Sequence, residues 1–199
     1  MSLALRRRLP LFALIALCAT PVVGPYLLWF FWQPSEFSNY GELVEPRVMP
    51  DVVLEPLVPA ARGAGTLPST TDATLRGKWF LLIADGAACD ARCERKLYHI
   101  RQLRTMQGKD MERVERVWLI DDRSEPGTRL HESFAGTWVV RRPDPALIGA
   151  LPVQVAGDAR DHIYLVDPLG NLMMRYPPDA DPSRIRKDLT RLLKYSRIG

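Results

Sequence analysis

The first pattern along the chain is an uninterrupted apolar run. From Leu9 to Trp32, 24 residues pass without a charged side chain. A spanning helix needs roughly 20 such residues, so the run predicts a transmembrane anchor over 9–32. Pro10, Pro21 and Pro25 lie inside it, which a membrane helix tolerates better than a soluble one. Trp29, Phe30, Phe31 and Trp32 form an aromatic belt at its far end. Arg6, Arg7 and Arg8 precede the run, and no Lys or Arg occurs from Gln33 to Pro46. The positive-inside bias then predicts a cytoplasmic N-terminus over 1–8 and export of everything after Trp32. The run exceeds a signal-peptide core and lacks a small-x-small site after it, so a retained anchor is expected rather than a cleaved signal. Leu17 precedes Cys18 where a lipid-attachment signal wants a small residue, so Cys18 reads as an apolar side chain of the span.

The pattern then loses its period. Residues 33–71 contain Pro34, Pro46, Pro50, Pro56, Pro59 and Pro68. They read as an extended linker and lead-in to a domain over 72–199.

Within that domain the patterns are sharper. Trp79–Ala84 is a continuous apolar run of the kind a buried parallel strand shows. A loop, Asp85–Ala88, leads to a helical segment over 89–107, with Leu97, Ile100, Leu103 and Met106 on one broad face and Gly108 ending it. Val114–Asp121 is a second strand. Between 122 and 157 the prolines allow a short strand at Thr137–Val140 and a short helix at Pro145–Ala150. His162–Val166 is a strand, Asp167–Asn171 a tight turn, and Leu172–Tyr176 the returning strand of a hairpin. Asp181-Pro182 caps a last helix whose inner face carries Ile185, Leu189, Leu192 and Leu193. Early alternation of strand and helix implies right-handed, parallel pairing. The closing hairpin adds antiparallel strands. The fold class is α/β, a thioredoxin-like sheet with helices on both faces.

Charge narrows function only slightly. The net charge is +4, but cations and acids are interleaved, which describes solvated helix faces and not a nucleic-acid surface. Cysteine narrows it more. An exported domain meets an oxidising compartment, and Cys89 and Cys93 are the pair found there. Four readings are open: a disulfide, a metal clamp, a redox switch, or two inert core residues. A bridge across so short a loop adds little stability. Beside a helix N-terminus, with Arg92 and Arg95 near, thiolates are favoured, and thiolates are what soft metals and disulfide exchange both need.

Other candidates carry less. His99 and His131 read as surface residues. His162, at a strand start beside Asp161, is a candidate imidazole ligand. Strand alternation points one of Met173 and Met174 inward, so packing explains that one. Trp79, Trp118 and Trp138 read as core or core-edge residues.

The sequence Cys89-Asp90-Ala91-Arg92-Cys93 after the first core strand, then Asp161-His162 and Tyr164-Leu165-Val166-Asp167-Pro168-Leu169-Gly170, resembles the Sco/SenC family of cytochrome c oxidase assembly factors. Asp90 and Glu94 stand where that family usually has proline. The resemblance implies a thioredoxin-like fold, Cu(I) held by Cys89, Cys93 and His162, and delivery to the dinuclear copper centre of oxidase subunit II, or thiol chemistry on that centre's cysteines. Two thiolates and one imidazole would suit Cu(I); zinc would want a fourth ligand, such as Asp158 or Asp161. The resemblance also implies a partner, either oxidase subunit II or another assembly factor, at the periplasmic side of the inner membrane. Two other roles fit the same pattern: a dedicated thiol-disulfide oxidoreductase with Cys89 and Cys93 as its redox pair, and a scaffold that retains the fold without the chemistry.

Overall fold

The computed structural model describes residues 3–31, 39–50, 52–57, 75–141, 143–155, 157–196 and 198. The chain forms two units, 1–38 and 39–199. In the first, helix α1 (Leu3–Phe31) contains the three prolines of the apolar run. Its window Leu14–Phe31 has a mean hydropathy of 1.8, making it a candidate membrane span.

The second unit is built on a seven-stranded sheet. Its strands are β1 (Glu42–Val48), β2 (Glu55–Pro56), β3 (Trp79–Asp85), β4 (Val114–Ile120), β5 (Trp138–Arg141), β6 (Tyr164–Val166) and β7 (Asn171–Arg175). Their order is β1-β7-β6-β3-β4-β5-β2. β3, β4 and β5 pair in parallel, while β6, β7 and the two edges are antiparallel. This is the thioredoxin-like α/β plan expected.

β3 lacks the usual polar–apolar alternation because it is covered on both faces. Leu81 and Ile83 join one core with Leu97, Ile100 and Leu103 of α2 (Ala91–Thr105) and Ile185, Leu189 and Leu193 of α5 (Pro182–Tyr195). Phe80, Leu82 and Ala84 join the other core, with Leu147 of α4 (Pro145–Gly149), Leu151 and Met49. Full burial of each such side chain contributes about 1.5–3 kcal/mol. A short helix, α3 (Thr128–Ser133), adds Leu130 to the first core.

The structure revises three sequence boundaries. Within the expected linker, Glu42–Val48 and Glu55–Pro56 are strands of the sheet. β1 pairs with β7, β2 pairs with β5, and Met49, Leu54 and Leu57 are buried. Both strands lie at sheet edges, where Pro46 and Pro56 cost few ladder bonds. Residues 33–38, 51 and 58–71 of the expected linker lie outside the described residues, as do 72–74 of the expected domain and Trp32 of the expected span. Helix α2 begins at Ala91, so Cys89 precedes it. β6 begins at Tyr164, which leaves His162 between a 3-10 turn (Ala159–Asp161) and the strand.

Candidate redox site at the start of α2

The C-terminal ends of β3 and β4 define the site. After Asp85 the chain turns through Gly86–Ala88. Asp122 fixes that turn: its Oδ2 accepts the N–H of Ala87 at 3.0 Å. The approach is so close that a Cβ on Gly86 would fall 2.6 Å from the same oxygen, so any other residue there must displace the carboxylate. The Cys89 N–H donates to Gly86 O at 3.1 Å. Cys89 itself takes a left-handed φ of +43°, uncommon for a residue with a Cβ.

Asp90 then caps α2. Its Oδ1 accepts the N–H groups of Arg92 and Cys93, both at 2.9 Å. Bonding from Cys93 N–H holds the Asp90 carboxyl below its ordinary range. The cap places Cys93 in the first turn and Cys89 just ahead of it. With Cα atoms 5.1 Å apart, the two are joined as a disulfide. Of the four readings, the structure therefore selects a bonded pair.

Both cysteines belong to the α2 core. Cys93 is fully buried, while Cys89 retains 5% exposure. Their polar neighbours Asp90 and Arg92 are exposed, while the cysteines pack into the core. A reagent approaching from solvent meets Cys89 first.

Ion pairs hold the segment before β6 against the helix. Arg92 pairs with Asp161. Lys96 pairs with Asp85 at 2.7 Å and also donates to Arg160 O. Arg160 makes two bonds to Asp121, at 2.7 and 2.8 Å. The N–H of Asp158 and then Arg92 hold the Asp161 carboxyl below its ordinary range. Sequence reading named Arg92, Asp158 and Asp161 for other roles and missed their pairing, along with Lys96, Asp121 and Arg160. Asp90 carried a usable signal, an acid directly ahead of a helical pattern. Asp122 and Arg160 carried none, since their partners are distant in sequence.

His162 is fully buried. Its Nδ1 lies 2.8 Å from Tyr176 O. A carbonyl only accepts, so Nδ1 carries the proton and Nε2 the lone pair. Nε2 is buried without a partner. Burial pushes this imidazole below its ordinary value, more than the Tyr176 carbonyl raises it. The ring packs edge-on to Tyr164, with centroids 5.9 Å apart. Tyr164 belongs to the core opposite the cysteines, whereas its neighbour Ile163 belongs to theirs.

His162 precedes β6, and its ring packs on Tyr164, which belongs to the other core from that of the cysteines. Among the described residues, no group of three or more His, Cys, Asp or Glu side chains is placed to hold a metal ion. The implied Cu(I) triad of Cys89, Cys93 and His162 is not assembled. His99, half-buried on α2, is pushed below its ordinary value by burial and by Arg95. Trp79, Trp118 and Trp138 are buried as expected, and Met174 is the buried member of the Met pair.

Residues 79–196 match the family described as transmembrane-like, thioredoxin-like, C-terminal domain. No curated protein matches the chain. Among solved structures, copper-bound yeast Sco1 is similar with a TM-score of 0.56 and 13% identity, over 77% of this chain and 96% of that one. Copper-bound ScoI of Bradyrhizobium japonicum follows at 0.50 and 18%, over 73% and 99%. The thioredoxin domain of a thiol-disulfide oxidoreductase from Bacteroides vulgatus gives 0.50 and 15%, over 76% and 99%. At these identities the likeness is one of fold.

Proposed function

The chain belongs to the family of transmembrane-like proteins with a thioredoxin-like C-terminal domain, and from that premise we infer that it is a membrane-anchored thiol-disulfide exchange protein acting in cytochrome c oxidase biogenesis. The observation that carries the exchange chemistry is the Cys89–Cys93 disulfide at the capped start of α2, with Cys93 fully buried and Cys89 retaining 5% exposure.

In the reduced protein, the Cys89 thiolate attacks one sulfur of a partner disulfide, and the partner's other sulfur leaves as a thiolate that takes a proton. A mixed disulfide forms. The Cys93 thiolate then attacks Cys89 Sγ, expelling the partner's second thiolate. Two electrons pass to the partner, and the Cys89–Cys93 bond is restored. A dithiol reductant must regenerate the pair. Asp90 sets the driving force. Its carboxylate occupies the N–H groups that would otherwise stabilise a thiolate. That disfavours the reduced form and makes the pair a stronger reductant.

Support for the oxidase setting is the Sco-like fold and the Sco/SenC-like sequence elements. The expected partner is oxidase subunit II or another assembly factor, through cysteines of a copper centre. The expected location is the inner membrane, with α1 as the anchor and the folded unit in the periplasm. Cu(I), as cargo, would have the two sulfurs of the reduced pair and not His162.

The test is a trap in the native membrane. A Cys93→Ser chain should accumulate a Cys89-linked mixed disulfide with an oxidase-assembly protein bearing paired cysteines, identified by mass spectrometry. Capture of no such protein, with normal oxidase assembly in a Cys89→Ser/Cys93→Ser strain, would instead favour the scaffold role.

A further inference from the structure

Helix α5 buries Ile185, Leu189 and Leu193 against the core. Its outward face exposes Arg184, Arg186, Lys187, Arg191 and Lys194. Asp188, the carboxylate within the helix, is turned inward at 4% exposure, and its Oδ2 accepts the N–H groups of Tyr40 and Gly41, both at 2.9 Å. It therefore adds no negative charge to the outer face. A shallow cleft along that face is lined by Arg186, Lys187, Thr190, Arg191, Lys194 and Tyr195, with no acid among them. At the helix end, Tyr195 and Ile198 are 74% and 49% exposed. They border an apolar groove that also includes Trp79, Met173 and Leu192.

The chain enters the folded unit against α5. Besides the two bonds to Asp188, the Tyr40 hydroxyl accepts the Asp181 N–H at 3.1 Å, and the Arg184 guanidinium lies 3.9 Å from the Tyr40 ring centre. Between the end of α1 at Phe31 and Asn39 there are seven residues in sequence. Even fully extended, they reach less than about 30 Å.

We propose that the outer face of α5 docks on anionic lipid headgroups of the membrane that α1 spans. This rests on reading α1 as an anchor. A basic helix face bordered by exposed aromatic and aliphatic side chains is the composition of an interfacial helix. Each Lys or Arg near an anionic surface adds attraction that salt screens. Tyrosine suits the headgroup region, where its ring is shielded and its hydroxyl is wet. An acidic protein could complement the same charge and pack on Tyr195 and Ile198, but the chain itself, with α1 read as its anchor, is tied to the membrane.

The test uses the full chain in nanodiscs of phosphatidylcholine alone or rich in phosphatidylglycerol, with amine footprinting of Lys187 and Lys194. Co-elution with the disc reads anchoring separately. The proposal predicts that both lysines react about fivefold more slowly in the anionic discs, that high salt removes the difference, and that Arg186→Glu/Lys187→Glu abolishes protection of Lys194. Equal rates in the two lipids would overturn it. So would protection that appears only when an acidic protein is added, which would assign the face to a protein partner. A chain that does not co-elute would overturn the anchoring reading and, with it, this one.

Discussion

Asp90 accepts the backbone N–H of Cys93 at 2.9 Å, so the helix end that would stabilise a thiolate is already occupied by a carboxylate. Asn at this position keeps the cap and removes the charge. Asp90→Asn should stabilise the thiolates and raise the reduction potential of the pair. A tenfold change in the exchange equilibrium corresponds to roughly 30 mV, and a shift of about that size is expected. Redox titration against glutathione, with the oxidised and reduced forms resolved by thiol labelling, reads it. A potential that is unmoved or lower would show that Asp90 does not tune the site.

Gly86 and Asp122 make the second prediction. A methyl group at Gly86 would meet the Asp122 carboxylate, which is held in place by the Ala87 and Ser124 N–H groups. Gly86→Ala should cost about 1–3 kcal/mol through overpacking, measured by denaturant unfolding. Asp122→Ala in the same chain should recover part of that loss, because it removes the atom in the way.

His162 gives a pH dependence. Its imidazole is buried and held below its ordinary value, first by desolvation and then by Arg175, against the opposing pull of the Tyr176 carbonyl, Asp161 and Glu42. In the unfolded chain it titrates near about 6.5. Below that pH the unfolded state binds a proton that the folded state refuses, so stability falls as pH drops toward the folded value. His162→Asn, which can still donate to Tyr176 O, should flatten this loss. Unfolding curves at a series of pH values from neutral to mildly acidic would show it as a shallower slope in the variant.

The same substitution separates copper from imidazole. Reduced wild-type chain and reduced His162→Asn should bind Cu(I) alike in competition with a chromogenic chelator, because two sulfurs are the donors the site brings together. Weaker binding by the variant would place His162 among the ligands.

Much of the fold was legible because local rules and tertiary context agree. The Trp79–Ala84 run is apolar throughout because both faces of β3 are covered. The Asp167–Asn171 turn and the Asp181-Pro182 cap form as their side chains dictate, with Asp167 accepting from Leu169 and Asn171, and Asp181 from Ser183. β1 and β2 were not legible. Edge strands carry mostly exposed side chains, and it is the open edge of β7 that recruits Glu42–Val48 into pairing. The cysteine pair was legible as chemistry. The position of His162 was not, because it turns on where β6 begins: one residue decides which side of the sheet a side chain faces. The clamp of Asp122 on Ala87 joins residues 35 apart in sequence, a distance at which composition and periodicity say nothing.

The central claim is that Cys89 is the attacking sulfur and Cys93 the resolving one. It is tested most directly by reacting the reduced full chain with glutathione disulfide, in a Cys18→Ser background that removes the third cysteine. The account predicts that Cys93→Ser accumulates a stable glutathione adduct at Cys89, that Cys89→Ser stays unmodified at the buried Cys93, and that the chain with both cysteines returns to the internal disulfide. An adduct at Cys93, or no reaction at either sulfur, would contradict it.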